Sequence, residues 1–324
     1  MTRSLSQFIK KFLRENLKSS QPVIVAYSGG ADSKALLYLL KACMKHFPLN
    51  LHVVHVDHGW REESHQELLL IEKEIKELGL PFYGYVIQDP LKKEHAAREH
   101  RYALFKELFR TLDAQAVILG HHQDDQVETV LKRVLEGASL YRCSGMTAIS
   151  LWNEMPLWRP LLTVRKDQLR SWLQKQDKSF IEDQTNLSPL YLRGRLRTAL
   201  LPQLESVFGK SIRDNLCRLG KRSDKLKQDL AKRSSSLFEM IEEESTIRLS
   251  SLRELDEIVL EYFLKTWTEK HGMQLSASQL EALVRIIQTK KSIASIKTGT
   301  GCITIGKGRL ALKKLDRYLD GKGT

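Results

Sequence analysis

Four short apolar segments in the first half of the chain constrain its fold more than any other feature. They are rich in Val and Ile and continuous rather than alternating, which is typical of strands buried on both faces. These segments are Val23–Tyr27, Leu51–Val56, Phe82–Ile87 and Ala116–Leu119. Stretches with helical spacing follow them at about residues 32–46, 62–78, 92–112 and 124–135. This alternation predicts a Rossmann-like α/β fold: a parallel sheet with helices on both faces and ligands beyond the carboxyl ends of its strands.

The second half of the chain has a different pattern. Helical periodicity covers residues 164–175, 202–233, 251–270 and 276–290, of which 202–233 is long and basic. Glycines then punctuate the short β-like runs Cys302–Ile305 and Leu310–Leu312, which predict a small terminal hairpin. We therefore expect a catalytic domain at 1–200 and a basic, mainly helical domain at 201–324 that ends in a β-hairpin.

The distribution of charge separates the two halves. The 324 residues include 52 Lys and Arg and 39 Asp and Glu, which gives a net charge of +13. Residues 1–150 have a net charge of +2, and residues 151–324 have a net charge of +11. A surplus confined to the second half predicts a polyanionic partner bound there, with a merely soluble basic surface as the alternative.

Several classes of protein are excluded by what the sequence lacks. No apolar run approaches the ~20 residues that span a bilayer. The first 20 residues have helical spacing without a secretory cleavage pattern, so we expect a helix docked on the core. The four cysteines are far apart and form no CxxC pair, which argues against a zinc ribbon or an iron–sulfur site. We expect a cytoplasmic protein with no membrane contact.

A glycine-rich loop follows the first predicted strand. Its sequence is Ser28-Gly29-Gly30-Ala31-Asp32-Ser33, and a helix begins within it. Two glycines and a helix N-terminus form a cradle suited to pyrophosphate, to which the serine hydroxyls can donate. Asp32 would be repelled by bare phosphate, so its natural role is to hold Mg²⁺. The alternative is a structural turn; neither the GxxxxGK[ST] nor the GxGxxG pattern is present.

Polar residues also follow the second and fourth predicted strands. Asp57 and His58 lie at the end of the second strand, suited to contacting a nucleotide. After the fourth strand, Asp125 and Glu128 share one face of the next helix, close to His121. Such acids could hold Mg²⁺ or a cationic substrate, although acids at a helix N-terminus are also favourable without any ligand.

The helix between the third and fourth strands carries two arginines. Arg98 and Arg101 lie three residues apart on one face. They could neutralise phosphate or the negative charge of a transition state. A solvated charged face is the alternative.

These motifs together resemble a known family. SGGADS is similar to the signature of the PP-loop ATP pyrophosphatases, and with HVDHG, AAREHRY and GHHQDDQVET it resembles the tRNA(Ile)-lysidine synthetase family. Further similar segments are Arg159–Leu162, Ile181–Asn186 and Arg193–Arg197, the last ending at Pro202. Gly194 departs from this pattern, because the family usually has Asn there. The chain resembles the short form of the family, which has one C-terminal domain. The resemblance implies that residues 1–200 form a PP-loop ATP-binding catalytic domain and that residues 201–324 form a tRNA-binding domain.

The resemblance implies a two-step reaction. ATP adenylates O2 of the first anticodon cytidine in tRNA(Ile) with a CAU anticodon, and pyrophosphate leaves. The ε-amine of free L-lysine then attacks C2 and releases AMP, which gives lysidine. ATP and Mg²⁺ are the implied cofactors.

The resemblance also implies residue roles. The ATP-binding residues would be Ser28, Gly29, Gly30, Ala31, Asp32, Ser33, Asp57 and His58, with Asp32 at the Mg²⁺. Lysine would be bound by Asp125 and Glu128, and tRNA phosphates by Arg193, Arg195 and Arg197. The catalytic group would comprise Asp32, Arg101, His121 and Asp125.

Three other functions are weighed against this one. Another PP-loop enzyme that thiolates a tRNA base would need a reactive cysteine or an iron–sulfur cluster. A PP-loop ligase acting on a small metabolite would not need the +11 second half. A non-catalytic RNA-binding protein would not need Asp32, Asp125 and Glu128. The sequence leaves the oligomeric state open, with a homodimer as one alternative.

Overall fold

The computed structural model describes residues 4–18, 20–57, 59, 64–87, 94–181, 192–240, 245–289 and 293–314. They form two compact units, one of residues 1–139 and 143–221 and the other of residues 140–142 and 222–324. The units divide inside the helix Ile212–Arg233, later than the boundary predicted after residue 200. The reason is packing, because Leu201 and Leu216 share a core cluster with Val127 and Val130 of the first unit.

The first unit alternates helices and strands along the chain. Its elements are α1 (Leu5–Asn16), β1 (Pro22–Ala26), α2 (Ala31–Cys43), β2 (Asn50–Asp57), α3 (Ser64–Glu77), β3 (Phe82–Val86), α4 (Glu94–Thr111), β4 (Ala116–Ile118), α5 (Gln123–Leu135), β5 (Ile149–Trp152), β6 (Met155–Trp158), α6 (Lys166–Lys175), α7 (Leu192–Arg195), α8 (Leu201–Phe208) and the start of α9 (Ile212–Arg233). A π-helical stretch, Leu196–Leu200, joins α7 to α8. Each of the four predicted strands and the helix after it is present.

The sheet of this unit has the order β3-β2-β1-β4-β6-β5. All neighbouring strands run parallel except β5 and β6, which form an antiparallel hairpin at the edge. The predicted parallel α/β sheet is therefore confirmed. Its centre is β1, whose carboxyl end leads directly into the glycine-rich loop.

Both faces of the sheet are covered, which explains why its strands are continuously apolar. Val25 is fully buried in one core cluster with Ile9 of α1 and Leu36 of α2. Ile24, the next residue along β1, is equally buried in a second cluster with Phe105 of α4. Each fully buried side chain of this kind contributes about 1.5–3 kcal/mol, so burial fixes the strand between its two helix layers.

The structure departs from the predicted elements at three turns. The β5–β6 hairpin was not predicted, because its turn residues Asn153 (φ 45°) and Glu154 (φ 72°) lack the glycine that usually marks such a turn. The predicted helix 202–233 is two helices, since Gly209 with φ 78° ends α8. The predicted helix 251–270 is likewise divided, at Glu254.

The second unit combines helices with a small sheet. It contains the rest of α9, then α10 (Ser235–Met240), β7 (Thr246–Arg248), α11 (Leu249–Arg253), α12 (Glu257–Lys270), α13 (Ala277–Gln288), β8 (Ala294–Thr298), β9 (Gly301–Gly306) and β10 (Arg309–Lys314). The predicted terminal hairpin is β9–β10, and it belongs to an antiparallel sheet of order β7-β10-β9-β8. Among the described residues, no helix is long and apolar enough to cross a membrane.

Candidate active site

The loop between β1 and α2 is closed by the hydroxyl of Ser33. Its Oγ donates to the carbonyl oxygen of Gly30 and accepts from the backbone N–H of Ser28, both at 3.1 Å. Ser28 Oγ lies 3.1 Å from Ser33 Oγ. The hydroxyl proton of Ser33 is thus used in a hydrogen bond within the loop, so this hydroxyl stabilises the loop conformation. The first backbone N–H groups of α2 remain available to an anion, as at any helix N-terminus.

Gly29 is held where a side chain would not fit. Its φ is +76°, and a Cβ there would lie 2.6 Å from Cδ1 of Ile181 and 3.1 Å from Cδ1 of Ile71. The backbone N–H of Ile181 donates to the Gly29 carbonyl oxygen at 3.1 Å. The segment ending at Ile181 therefore packs directly on the loop.

Replacing Gly29 by Ala should lower the free energy of unfolding by more than the positive φ alone would, because the added Cβ also clashes with its neighbours. The matched control is Gly79→Ala, because Gly79 has φ +64° with no atom within 4 Å of an added Cβ. We expect a loss of about 1 kcal/mol in the control and a further loss of about 1–3 kcal/mol from overpacking at Gly29. Urea unfolding measures both, and equal losses would contradict the packing argument.

Asp32, in the first turn of α2, faces a histidine from the neighbouring strand end. Its Oδ2 lies 3.3 Å from Nε2 of His122, which is almost fully buried. Burial acts to raise the pKa of Asp32, but the hydrogen bond and charge of His122 lower it overall. Asp32 Oδ1 is buried and accepts no hydrogen bond from any described residue. An ionised carboxylate therefore has one oxygen unused.

The carboxylates that open α5 have separate partners. Asp125 Oδ2 accepts from the backbone N–H of His122 at 2.9 Å, which is the bond that the third helical residue makes in a capping box. Asp124 instead accepts from the backbone N–H of Lys166 at 3.0 Å and from Arg213 at 2.6 Å. Burial opposes protonation of His122, yet the surrounding acids raise its pKa, with Asp32 making the largest contribution among them.

Arg197 joins the two acids that were predicted to share a helix face. Its Nη2 lies 3.1 Å from Oδ1 of Asp125 and 3.0 Å from Oε2 of Glu128, and its Nε also donates to Glu128. Both carboxylates are over nine-tenths buried. Burial raises the pKa of Glu128, and Arg197 partly opposes that rise. The cluster of two acids and one guanidinium has a formal charge of −1, so it favours one more cation.

Several of these groups border a cavity of about 450 Å³. Its lining includes His122, Asp124, Glu128, Lys166, Arg197 and Arg213. A cavity of this size can hold an amino acid or part of a nucleotide. Both carboxylates and cations line it, so it can bind a zwitterion as well as a phosphate.

His121 lies beside this cluster as a neutral group. Burial, with the positive charges of Arg159, Arg98 and Arg193, lowers its pKa to about 3, although Asp125 acts in the opposite direction. Its Nδ1 is buried and has no hydrogen-bond partner among the described residues. A neutral imidazole with a free nitrogen can donate to or accept from a base placed beside it.

The low pKa of His121 predicts a loss of stability in acid. In the unfolded chain His121 is protonated as the pH falls through about 6.5, whereas in the folded chain its pKa is about 3. The free energy of unfolding therefore falls as the pH decreases across this range. His121→Gln should make that dependence shallower by up to about 1.4 kcal/mol per pH unit. Urea unfolding between pH 4.5 and 7 measures it, with His46→Gln, at an exposed position, as the control. Parallel curves for His121→Gln and wild type would contradict this prediction.

The other predicted site residues are placed as follows. Asp57 is buried at the end of β2 and accepts from the backbone N–H of Gly59 at 2.8 Å. Arg101 lies on α4 with its guanidinium carbon 6.0 Å from the ring centroid of Tyr102. Arg193 is half-buried and Arg195 is exposed. His58 lies outside the described residues, as do residues 182–186 of the segment that begins at Ile181.

The structure gives two residues, Arg197 and His122, contacts that the sequence analysis did not predict. The resemblance grouped Arg197 with Arg193 and Arg195 as tRNA-phosphate ligands, but its guanidinium donates to Asp125 and Glu128 instead. The spacing carried this signal, because Arg193 and Arg197 are four residues apart and share a helix face that Arg195 does not. His122, not singled out by the sequence analysis, connects Asp32 to Asp125, with its Nε2 3.5 Å from the Asp125 carboxylate.

Comparison with known proteins agrees with this geometry. Residues 1–204 match a family described as a PP-loop domain. A tRNA(Ile)-lysidine synthase of Protochlamydia amoebophila is 34% identical over 306 residues, which cover 93% of this chain and 67% of that protein. A tRNA(Ile)-lysidine synthase of Chlamydia abortus is 37% identical over 261 residues, covering 78% and 80%.

A solved structure shows the same fold at lower identity. The U34-tRNA thiolase NcsA from Methanococcus maripaludis, with its 4Fe-4S cluster, superposes with a TM-score of 0.55 and 18% identity, covering 67% of this chain and 76% of that one. This likeness concerns the fold alone. Taken with the extent and identity of the sequence matches, the loop and the acid cluster lead to one conclusion: the chain belongs to the tRNA(Ile)-lysidine synthase family.

Proposed function

We propose that this enzyme uses ATP and free L-lysine to convert the first anticodon cytidine of tRNA(Ile) with a CAU anticodon to lysidine. One observation carries the proposal: the glycine-rich loop and the acid pair belong to one network. Asp32 contacts His122 at 3.3 Å, His122 contacts Asp125 at 3.5 Å, and Arg197 joins Asp125 to Glu128. A nucleotide on the loop and a cation at the acids would therefore share one site.

The loop supplies the ATP half of the site. The backbone N–H groups at the start of α2 would hold the phosphates, and the tight fit at Gly29 keeps the loop in shape. Asp32 fits a Mg²⁺ ion, since one oxygen of its carboxylate is buried without a partner. Mg²⁺ is commonly held by one or two carboxylates together with substrate phosphates and water. When bound, the ion would neutralise charge on the departing pyrophosphate.

The acid pair supplies the lysine half. Asp125 and Glu128 already bind one cationic group, the guanidinium of Arg197, and their joint negative charge attracts a second. Because burial raises the pKa of Glu128, its carboxylate is a better proton acceptor than an exposed one. We assign Glu128 to hold the substrate ammonium and to accept a proton as the amine becomes a nucleophile.

The two steps balance without a covalent enzyme intermediate. Cytidine O2 attacks the α-phosphorus of ATP, and the bond from that phosphorus to pyrophosphate breaks. The ε-amine of lysine then attacks C2, the bond between C2 and O2 breaks, and AMP leaves with that oxygen. The cytidine must leave its stack to reach the site, and the neutral His121 and Arg101 are the groups we place beside it.

The tRNA backbone would be held outside this cluster. Arg193 and Arg195 remain our candidates for phosphate contacts, and Arg195 is exposed as such a role requires. We reassign Arg197 to the lysine site, because its guanidinium donates to two buried carboxylates. Its removal should therefore affect lysine use before it affects tRNA affinity.

Incorporation of labelled lysine tests the proposed function. The enzyme is incubated with ATP, Mg²⁺, labelled L-lysine and tRNA(Ile) transcripts that carry either CAU or UAU as anticodon. We expect label only in the CAU transcript, and only when ATP is present. Absence of label under conditions in which a family member modifies the same transcript would overturn the proposal. In a parallel reaction that contains sulfide as the donor in place of lysine, transfer of sulfur to the transcript would assign the thiolation alternative.

A further inference from the structure

The C-terminal sheet has one covered face and one open face. On the covered face, Ile247, Ile303, Ile305, Leu310 and Leu312 are buried in a core with α12 and α13. Strand alternation places the intervening residues on the opposite face. We call this the outer face. It is formed by Thr246, Arg248, Ser295, Lys297, Cys302, Thr304, Arg309, Ala311 and Lys313.

Strand register arranges the outer face in three rows. Arg309 pairs directly with Arg248, and Lys313 pairs with Cys302, which pairs with Lys297 on its other side. Directly paired residues share a face, so each of the two end rows carries two cations, with Gly306 beside Arg309 in one and Cys302 between the lysines in the other. Between them lies a row of short side chains: Thr246, Ala311, Thr304 and Ser295. Rows two residues apart are ~7 Å apart, which places the two cation rows ~14 Å from each other.

The charges of the outer face are not compensated within the described residues. The four strands contain no Asp or Glu, and Arg248, Lys297, Arg309 and Lys313 are all exposed. None of the ion pairs among the described residues includes any of these four cations. Like charges directly opposite each other, as at Arg248 and Arg309, destabilise a sheet. Such an arrangement indicates a polyanion as the partner.

We propose that the outer face binds the phosphate backbone of the tRNA substrate. The inference rests on the proposed function, which supplies the polyanion, and it names the surface within the +11 half of the chain that contacts it. Short side chains between the cation rows leave the surface flat, so a backbone can approach closely. The hydroxyls of Thr246, Thr304 and Ser295 can bond to phosphate oxygens or to 2′-hydroxyl groups.

Salt-dependent tRNA binding tests the outer face. The variant Arg248→Gln/Lys297→Gln/Arg309→Gln/Lys313→Gln is compared with a control that loses four exposed cations of α9 and α13: Lys225→Gln/Lys227→Gln/Lys232→Gln/Arg285→Gln. Filter binding of full-length tRNA(Ile) at several salt concentrations gives the slope of log K against log salt. Each lost phosphate contact should reduce the magnitude of the slope by about 0.7–0.9. The slope of the outer-face variant should therefore be smaller by about 3, and that of the control should change far less.

Several results would overturn the proposal. An unchanged slope in the outer-face variant would do so, and so would equal losses in both variants, which would indicate net charge alone. The two single-row variants, Arg248→Gln/Arg309→Gln and Lys297→Gln/Lys313→Gln, should each lose about half of the effect. Loss of binding to phosphatidylserine vesicles with unchanged tRNA binding would assign the face to membranes instead. The binding assay contains neither ATP nor lysine, so a wild-type enzyme that binds tRNA but incorporates no lysine would contradict only the proposed function.

Discussion

Asp32→Asn is expected to slow pyrophosphate release about 100- to 1000-fold, the range found when one group that stabilises developing charge is removed. The change keeps the size of the side chain but removes its charge. It eliminates the carboxylate oxygen that fits Mg²⁺ and leaves the buried His122 without its closest anionic partner. Adenylation should fail first, because the charge that Asp32 would organise develops on the departing pyrophosphate.

The assay follows pyrophosphate release with ATP and tRNA in the absence of lysine, so that only the first step is observed. Asp177→Asn is the matched control, since Asp177 is exposed and its φ of 50° suits Asn as well as Asp. If Asp32→Asn released pyrophosphate as fast as the control, Asp32 would not act in adenylation. Raising the Mg²⁺ concentration should recover part of the lost rate.

Glu128→Gln is expected to slow the attack of lysine while leaving adenylation nearly unchanged. It should reduce lysine-dependent AMP release about 100-fold, equivalent to about 2.7 kcal/mol, while pyrophosphate release changes by less than about 3-fold. Glu128 is the better choice than Asp125, which also accepts from the backbone N–H of His122 and so supports the adenylation side. The Glu128 carboxylate instead accepts hydrogen bonds from Arg197.

The control for this experiment lies on the same helix. Glu136→Gln removes an acid at the carboxyl end of α5 whose side chain is 56% exposed. It should leave both steps unchanged. Because the variant Glu128→Gln must fold to release pyrophosphate, the first step also reports on its integrity. Equal losses in both steps would contradict the assignment of Glu128 to lysine.

Much of the fold was predictable because burial on both faces imposes a simple pattern. Val23 and Val25 face one helix layer and Ile24 faces the other, so the strand must be apolar throughout. The glycine-rich loop was equally predictable from the sequence. A side chain at Gly29 would collide with Ile181, so the position requires the glycine that marks the motif. The β5–β6 hairpin was hidden, because the exposed turn residues Asn153 and Glu154 adopt positive φ without a glycine to mark the turn.

The candidate site was predictable in its residue types but not in its pairings. Sequence spacing places Asp125 and Glu128 on one helix face, yet it cannot show that Arg197, 69 residues after Glu128, joins them. Nor can it show that His122 is buried between Asp32 and Asp125, because that contact depends on the adjacency of β1 and β4 in the sheet. The protonation states follow from those contacts, so the sequence alone could not give them.

The fate of a single oxygen atom tests the central claim most directly. The tRNA is prepared with ¹⁸O at O2 of the first anticodon cytidine and is converted with ATP and lysine. Since adenylation joins O2 to the α-phosphorus and lysine then breaks the bond between C2 and O2, the released AMP should carry one ¹⁸O atom per lysidine formed. AMP without ¹⁸O, in a reaction that forms lysidine, would contradict adenylation of the base.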